Sequence, residues 1–460
     1  MSSKWLKCLL LMLLGLIFLL IGSEARANNY FGYGEQAPVV SKTSLVINNY
    51  EFGPGVSKVV LELNRSVGAV DFNSDSKVTT AGVERTVTDA YLSDAQGNPI
   101  NYSKSRYLSL VLEVGKDVAS PFSFDLAAYR NRWVGSYNVK VENIKVSAFG
   151  QDQTINSEQE AINNLILPDA ERFSERGTSG LSYAAYRPQG EGGKRPLIVW
   201  LHGIGEAGTD INFPLLANNV ANLTKDQIQC YFTATGNSGL TGAYVLVPQA
   251  PTYWGGESNE AALMSTIQSY VSSHPDIDAN RIYLVGASNG GGMVVDMGKR
   301  YPNYFAALVP ISANYSYQAT WAGNDYTYTI DDATYNAFNA LKNQPMWFIH
   351  SRSDQTIPVD NSVLPFYKAM IDRGASNKWL SYYETVVGTD MPGVEYDGHW
   401  SWVYLFNDQV RGVQSTANTA SYSGLLGMVA TNPTQGGASK ATVNGVEYDD
   451  IFQWMNSQSK

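Results

Sequence analysis

The sequence predicts two folded units, a small β-sandwich over residues 40–150 and a doubly wound, mainly parallel α/β sheet within residues 175–460. Three observations support this division. Short apolar strands separated by turns, with no long amphipathic helix, fill the first region. Continuous apolar runs that alternate with helical patterns fill the second region. A serine flanked by glycines directly follows one of these apolar runs.

Length and composition suit two domains and a leader. The chain has 460 residues, 44% hydrophobic and 16% charged, which indicates a folded protein. Its formal net charge of −10 argues against nucleic acid or an anionic membrane surface as a partner. Residues 1–27 have the pattern of a secretory signal peptide, with two lysines, an apolar run and a small-x-small triplet that ends at Ala27. The alternative is an uncleaved anchor, but the run is short for a spanning helix. We therefore expect a secreted or periplasmic protein without stable membrane insertion after signal removal.

The first unit has the strand pattern of a sandwich. Residues 44–47, 58–63 and 107–114 are short apolar runs, and residues 137–146 alternate apolar and polar side chains. Turn-forming residues such as glycine, proline, asparagine and aspartate lie between these runs. The even spacing predicts strands packed in two layers.

The pattern changes after a polar stretch, which predicts a linker at residues 151–174. Helical patterns at residues 260–273 and 363–373 then separate apolar runs that are typical of buried strands. These strands are predicted at residues 196–201, 243–247, 282–285, 306–311, 346–349 and 382–387. In a sheet of this kind, reactive groups gather at the carboxyl ends of the strands.

Ser288 is the candidate nucleophile. It is the centre of Gly286-Ala287-Ser288-Asn289-Gly290, a G-x-S-x-G turn between a strand and a helix. Such a tight turn leaves no room for a bulky side chain at either glycine. The helix that follows points its free N–H groups at the serine. In a chain with 41 glycines the pattern also arises by chance, so its context has to decide.

A serine needs a base, and the base needs an orienting acid. In this kind of fold the order along the chain is serine, acid, histidine. Of the two histidines after Ser288, His350 ends a strand, whereas His399 has a strand, an acid and a loop before it. His399 is therefore the predicted base, and Asp354, in the loop after the strand at 346–349, is the predicted acid. The carboxylates that compete for the acid role are Asp360, Asp390 and Asp397.

Two backbone N–H groups are expected to bind the oxyanion. One belongs to Asn289, which follows the nucleophile. The other belongs to Ile204, in a glycine-rich loop after the first core strand. Trp254, Trp321 and Trp400 fall near predicted strand ends and are candidates for substrate binding, with core packing as the alternative. This chemistry requires no metal and no cofactor.

These motifs resemble those of secreted carboxylesterases of the α/β-hydrolase superfamily. Residues 201–210 are similar to the oxyanion loop of the polyhydroxybutyrate-depolymerase-like and feruloyl-esterase-like branch, which is related to dienelactone hydrolase and prolyl oligopeptidase. Residues 247–251, 278–283 and 354–358 resemble its next strand end, its approach to the nucleophile and its acid loop. Residues 408–444 form a longer segment than this branch would lead us to expect. The upstream unit resembles, by arrangement alone, the immunoglobulin-like domain that precedes some of these esterases.

The motifs and the resemblance together predict a secreted serine carboxylesterase that acts through an acyl-enzyme. Small-molecule esters, short-chain esters and acyl groups on plant polysaccharides are the expected substrate classes, and the oligomeric state stays open. One alternative is a serine peptidase of the prolyl-oligopeptidase kind, although the upstream region is too short for the usual propeller. Another is a non-catalytic binding or adhesion protein on a hydrolase scaffold.

Overall fold

The structure is a computed structural model. It describes residues 37–315, 338–415, 431 and 435–460, and by their backbone alone residues 318–322 and 325–329. The predicted signal peptide at residues 1–27 lies outside the described residues. Within the described ranges, no helix has the length and apolar character needed to cross a membrane.

The first unit is a sandwich of two five-stranded sheets. Its strands are β1 (Val40–Tyr50), β2 (Gly53–Val67), β3 (Val70–Asp71), β4 (Lys77–Thr80), β5 (Val83–Glu84), β6 (Val87–Ser93), β7 (Ser105–Leu112), β8 (Phe122–Asp125), β9 (Arg130–Trp133), β10 (Asn138–Ala148), β11 (Gln151–Glu160) and β12 (Leu165–Ile166). One sheet has the order β12-β1-β2-β7-β6, and the other has β11-β10-β4-β5 with β3 also on β10. Leu45, Leu61 and Leu110 are fully buried between the sheets, because alternate side chains of a strand face the opposite layer.

The expected linker at residues 151–174 differs from the structure. β11 occupies its first part and pairs antiparallel with β10, and β12 pairs with β1. β11 is an edge strand in which Ile155 is the one buried residue. A strand that is covered on one face and at one edge needs few apolar residues. The polar sequence of β11 therefore resembles that of a linker.

The second unit is an α/β structure around one eight-stranded sheet. Its strands are β13 (Glu175–Ser179), β14 (Leu181–Tyr186), β15 (Arg195–Leu201), β16 (Thr233–Ala234), β17 (Asn237–Thr241), β18 (Tyr244–Gln249), β19 (Ile277–Ala287), β20 (Ala307–Ile311), β21 (Gln318–Ala322), β22 (Asp325–Thr329), β23 (Met346–Ser351), β24 (Lys378–Tyr383), β25 (Val386–Val387), β26 (Glu395–Tyr396), β27 (Ala441–Val443) and β28 (Val446–Tyr448). The helices are α1 (Pro168–Glu171), α2 (Asn212–Leu216), α3 (Asp226–Gln229), α4 (Gly256–Ser273), α5 (Asn289–Arg300), α6 (Val363–Asp372), α7 (Trp402–Phe406) and α8 (Ile451–Ser457).

The order of the main sheet is β13-β14-β18-β15-β19-β20-β23-β24. The pairs from β18 to β24 are parallel, and the two pairs that involve β14 are antiparallel. Helices α4, α5 and α6 pack on one face, and α2, α7 and α8 pack on the other. Successive residues of β15 alternate between these two cores, which explains why the whole strand is apolar. The predicted α/β class, with a β-sandwich before it, is confirmed.

Glu51 fastens the sandwich to the second unit. It lies in the turn between β1 and β2, and 2% of its surface is exposed. Its carboxylate accepts hydrogen bonds from the N–H of Thr389 at 2.7 Å and the N–H of Asp390 at 3.0 Å. The hydroxyl of Tyr396 and the side-chain amide of Asn407 donate to the same carboxylate. The segment that leads to His399 is thus anchored on the first domain.

Replacing Glu51 by Ala is expected to lower the free energy of unfolding by roughly 3 kcal/mol at neutral pH, because several buried donors lose their acceptor. Burial alone would raise the pKa of Glu51, but the hydrogen bonds from Thr389, Asp390 and Asn407 outweigh it and hold the pKa below its ordinary value. A lowered pKa gives stability that is present above the ordinary pKa and is lost as the pH falls.

Urea unfolding at pH 7 and at lower pH measures this effect. The difference between wild type and Glu51→Ala should shrink as the pH falls through the carboxylate range. Glu84→Ala is the control on the same domain, because that side chain is exposed. An equal loss of stability at every pH would contradict the assignment.

Candidate active site

Ser288 occupies the turn between β19 and α5. Its backbone has φ 55° and ψ −121°, a region that residues with a side chain rarely adopt. The N–H of Ser288 donates to the carbonyl oxygen of Ile311 in β20 at 2.8 Å, which helps to hold the strained turn. The serine is therefore presented at the carboxyl end of a central strand, as its motif predicts.

The two glycines of the turn are required by the space around them. A Cβ atom on Gly286 would lie 2.6 Å from the carbonyl oxygen of Gly290. A Cβ atom on Gly290 would overlap the carbonyl oxygens of Leu201 and His202. Because those groups are backbone, they cannot rotate away, and α5 therefore packs on the end of β15 only with glycine at this position.

Asp354 and His399 are in direct contact. Oδ2 of Asp354 accepts a hydrogen bond from Nδ1 of His399 at 2.8 Å, and the two residues are 1% and 8% exposed. Gly398 packs against the backbone of Ser353, which brings the loop of the histidine onto the loop of the aspartate. Since Nδ1 carries the hydrogen toward the carboxylate, Nε2 is the ring nitrogen with a lone pair to offer.

A second imidazole binds the same carboxylate. Nε2 of His350 lies 2.9 Å from Oδ2 of Asp354 and 2.9 Å from the carbonyl oxygen of Ile357. Both neighbours are acceptors, so Nε2 carries the hydrogen. Oδ1 of Asp354 accepts the N–H groups of Thr356 and Ile357 at 2.9 and 2.8 Å. Burial alone would raise the pKa of Asp354, but the hydrogen bonds from His350 and His399 outweigh it and hold the pKa well below its usual range.

The competing acids have other surroundings. Asp360 is exposed in a 3-10 turn at Val359–Asn361. Asp390 accepts the N–H of Glu51 at 2.8 Å. Asp397 accepts the backbone N–H of His399 at 2.9 Å and caps the 3-10 turn at Gly398–Trp400. Of these four aspartates, Asp354 is the one whose carboxylate contacts an imidazole in the part of the chain that the structure describes.

The glycine-rich loop after β15 passes beside the serine. We call residues 202–210 the oxyanion loop after the role predicted for Ile204; the loop includes a 3-10 turn at Ile204–Glu206. A Cβ atom on Gly203 would lie 3.7 Å from the Cβ atom of Ser288. Ile204 and Asn289 are each the first residue of a helical turn. The N–H of a first helical residue has no acceptor within its own helix, so both predicted donors suit an incoming oxyanion.

His202 supports this loop from inside the protein. Its Nδ1 lies 2.6 Å from the carbonyl oxygen of Gly203, and its Nε2 accepts the N–H of Ala250 at 3.0 Å. Burial lowers the pKa of His202 to about 4, and the contact with Gly203 offsets this only in part. The imidazole is therefore neutral at pH 7. Its two contacts connect the residues that follow β15 and β18.

The predicted substrate-binding tryptophans have different positions. Trp254 is 2% exposed, and its Nε1 donates to the carbonyl oxygen of His202 at 3.0 Å. Its N–H donates to Oδ1 of Asn289, whose side-chain amide returns a bond to the Trp254 carbonyl. This position gives Trp254 a supporting role beneath the oxyanion loop in place of the substrate contact that we expected. Trp400 is half-buried against Tyr396, and the side chain of Trp321 lies outside the described residues.

Two polar contacts of the site were not predicted from the sequence. His350 was expected only to end a strand, although its spacing of four residues from Asp354 was a usable signal. Glu206 stands within the oxyanion loop and accepts a hydrogen bond from Asn131 of β9 at 3.1 Å. No local pattern connects residues 75 positions apart. Much of the segment at 408–444 lies outside the described residues.

Three family models match parts of the chain. The esterase Ig-like N-terminal domain matches residues 42–153, the PHB depolymerase esterase family matches residues 181–320, and the prolyl oligopeptidase family matches residues 259–385. No curated protein sequence matches the chain at a significant level.

One solved structure shows the same fold, and two others match the chain more weakly. The crystal structure of a thermostable esterase superposes with a TM-score of 0.62 at 20% identity, over 80% of this chain and 97% of that chain. An acylaminoacyl peptidase of Pyrococcus horikoshii gives a TM-score of 0.34 at 17% identity, over 59% of this chain and 47% of its own. An acetyl xylan esterase from Aspergillus awamori gives 0.31 at 16% identity, over 44% and 79% of the two chains. The family matches and the thermostable esterase structure together give the chain an α/β-hydrolase fold preceded by an esterase immunoglobulin-like domain, and the esterase and prolyl oligopeptidase matches support a hydrolase.

Proposed function

We propose that the protein is a serine carboxylesterase in which Ser288, His399 and Asp354 form the catalytic triad. The observation that carries this proposal is the buried hydrogen bond between Asp354 and His399. Asp354 and the strained turn of Ser288 both follow the carboxyl ends of parallel strands of the same sheet. The neighbouring oxyanion loop, with Gly203 against Ser288, supplies the remaining requirement of acyl transfer.

In the proposed reaction, Oγ of Ser288 attacks the carbonyl carbon of the ester while Nε2 of His399 takes the hydroxyl proton. The carbonyl electron pair moves to oxygen, and the N–H groups of Ile204 and Asn289 bind the resulting oxyanion. Collapse of this intermediate expels the alcohol, which takes the proton from His399. Water then repeats the sequence and releases the acid. Asp354 keeps the imidazole in one tautomer and stabilises its cation throughout.

A fluorophosphonate reagent tests this proposal directly, because it reacts with an activated serine. We expect one covalent adduct per chain, located by peptide mass analysis at Ser288, and no adduct in Ser288→Ala. Ser312→Ala serves as the matched control, because Ser312 is a buried serine whose hydroxyl lies 2.7 Å from that of Ser401. Absence of labelling in the wild type, or equal labelling in Ser288→Ala, would exclude the triad.

The ester class follows from a second assay. Short-chain esters and acyl groups on polysaccharides are the substrates that we propose, with a small-molecule ester as the minimal one. A panel of p-nitrophenyl acetate, butyrate, octanoate and a feruloyl ester would rank acyl length against aryl acids. If the protein is labelled at Ser288 but hydrolyses none of these esters, we would infer a substrate with a different leaving group.

A serine peptidase is the second candidate, because the prolyl oligopeptidase family model matches residues 259–385. The same triad would then attack an amide. The upstream unit is a sandwich, whereas peptidases of that kind usually carry a large propeller domain. Turnover of an aminoacyl-proline anilide at a higher kcat/KM than the matching ester would favour the peptidase.

We also propose that the enzyme is exported and loses residues 1–27. The charged start, the apolar run and the small-x-small triplet support this assignment. The intact mass of the protein recovered from the medium or the periplasm should correspond to a chain that begins at Asn28. A mass that includes the leader would contradict cleavage.

A further inference from the structure

A hairpin of the first domain touches the oxyanion loop. β8 and β9 pair with each other and with neither sheet of the sandwich. Nδ2 of Asn131 donates to Oε1 of Glu206 at 3.1 Å, and Nε1 of Trp133 donates to Oδ2 of Asp210 at 2.8 Å. These two bonds hold the oxyanion loop at its 3-10 turn and at its far end.

Glu206 links Asn131 to the backbone beside Ser288. The residue is buried, and a Cβ atom on Gly203 would lie 3.1 Å from its Oε2. Burial raises the pKa of Glu206 to about 7, although hydrogen bonds from the N–H of Gly203, from its own N–H and from Asn131 act in the opposite direction. The carboxyl group therefore joins Asn131 to the backbone of the residue that lies beside Ser288.

The contact leaves little freedom at this turn. A Cβ atom on Gly205 would lie 3.3 Å from Nδ2 of Asn131 and 3.6 Å from the ring of Phe124. On the other side, Nε2 of Gln249 donates to the carbonyl oxygens of Glu206 and Asp210, each at 2.9 Å. The loop is thus held between β18 of the second unit and the hairpin of the first.

An aromatic cluster secures the base of the hairpin. The ring of Phe213, in α2, lies 5.0 Å from that of Phe122 and 6.0 Å from that of Trp133. Phe122 and Trp133 themselves meet edge to face at 4.7 Å. Aromatic contacts of this kind favour one relative arrangement of the rings, so the hairpin has a defined position on the second unit.

We propose that the β8–β9 hairpin is a positioning element of the active site: Asn131, through Glu206, and Trp133, through Asp210, fix the oxyanion loop so that the Ile204 N–H meets the oxyanion. This proposal rests on the proposed esterase function. It assigns the immunoglobulin-like domain a part in the chemical step, although neither residue touches the substrate.

The size of the effect follows from the donor that is held. Loss of one oxyanion donor usually costs about 100- to 1000-fold in turnover. Asn131→Ala leaves the donor present but its loop less constrained, so we expect a decrease of roughly 10- to 50-fold in kcat. KM should change by less than about threefold, because the developing oxyanion is bound more strongly in the transition state than in the substrate complex.

The experiment compares Asn131→Ala and Trp133→Phe with the wild-type full-length chain on p-nitrophenyl butyrate. Trp133→Phe keeps an aromatic ring against Phe213 but loses the indole N–H together with part of the ring system, so we expect a smaller decrease in kcat than in Asn131→Ala. Each variant is also titrated with a trifluoromethyl ketone, which forms an oxyanion on the serine. The affinity for this inhibitor should fall by the same factor as kcat. Asn138→Ala, an exposed position on the same domain, is the control with unchanged kinetics.

Two results would overturn the proposal. One is a kcat of Asn131→Ala within twofold of the wild type. The other is a lower kcat with unchanged affinity for the trifluoromethyl ketone, since the loss would then not arise at the oxyanion. Thermal unfolding of each variant identifies a general loss of structure, in which case Trp133→Phe decides. A wild type that neither hydrolyses esters nor labels at Ser288 would contradict the proposed function instead, so the two failures are distinguishable.

Discussion

Replacing Asp354 by Asn is expected to lower kcat for ester hydrolysis by about 10⁴-fold, the loss that follows when a triad histidine takes the wrong tautomer. Four N–H groups point at this carboxylate, from His350, His399, Thr356 and Ile357. A carboxylate accepts all four, whereas an amide must turn its NH₂ group toward one of the two pairs. If the NH₂ group faces the imidazoles, Nδ1 of His399 becomes an acceptor and Nε2 carries the proton, so the ring cannot act as a base.

Kinetics with p-nitrophenyl butyrate and the rate of fluorophosphonate labelling measure this loss. Both should fall together, because each depends on activation of Ser288. Asp360→Asn is the matched control, since Asp360 lies in the same region and is exposed. A decrease of less than tenfold in Asp354→Asn, or an equal decrease in Asp360→Asn, would show that the acid lies elsewhere.

The amide can also turn its oxygen toward the imidazoles, which places NH₂ against the N–H groups of Thr356 and Ile357. That arrangement leaves donors facing each other in a partly buried loop and destabilises it. The other orientation is also unfavourable, because an NH₂ group turned toward the imidazoles would face the N–H of His350.

Replacing Gly290 by Ala is expected to reduce the free energy of unfolding by at least about 3 kcal/mol. The new methyl group would overlap the backbone carbonyls of Leu201 and His202. Alanine is a better helix former than glycine by about 1 kcal/mol. The overlap outweighs this gain, because backbone atoms at the end of a central strand can move away only if α5 or β15 shifts.

Urea unfolding gives the stability, and fluorophosphonate labelling gives the state of the site. We expect labelling of Gly290→Ala to be lost, since a shift of α5 also moves Asn289 and its N–H. Gly135→Ala is the control, because nothing lies within 4 Å of a Cβ atom at that position. Equal stability of the two variants would mean that α5 does not pack this closely on the end of β15.

The parts of the fold that depend on local pattern were predictable. A strand buried on both faces is apolar throughout, so runs such as the one ending at Leu201 revealed the parallel sheet. The turn at Ser288 has its own local signature, because its geometry excludes side chains at two fixed positions. The proximity of Asp354 to His399 followed from the order of elements that this fold imposes.

The parts that depend on distant contacts were not predictable. Ile155 gave β11 too little apolar content to distinguish it from a linker, although pairing with β10 fixes it. Trp254 fell near a strand end, but tertiary packing decided that it would face inward. The bond between Asn131 and Glu206 joins two domains, and the sequence contains no periodicity that could connect them.

The contact between Glu51 and Thr389 also fixes an order of events in synthesis. The two residues are 338 positions apart. At the usual speed of translation, the partner of Glu51 emerges from the ribosome roughly 20–70 s after Glu51 itself. During that time the carboxylate stays hydrated, because the segment that carries Thr389 and His399 has not yet been synthesised. If His399 is the catalytic base, a growing chain of this design is therefore expected to be inert as an enzyme until this segment has been synthesised and has packed on Glu51.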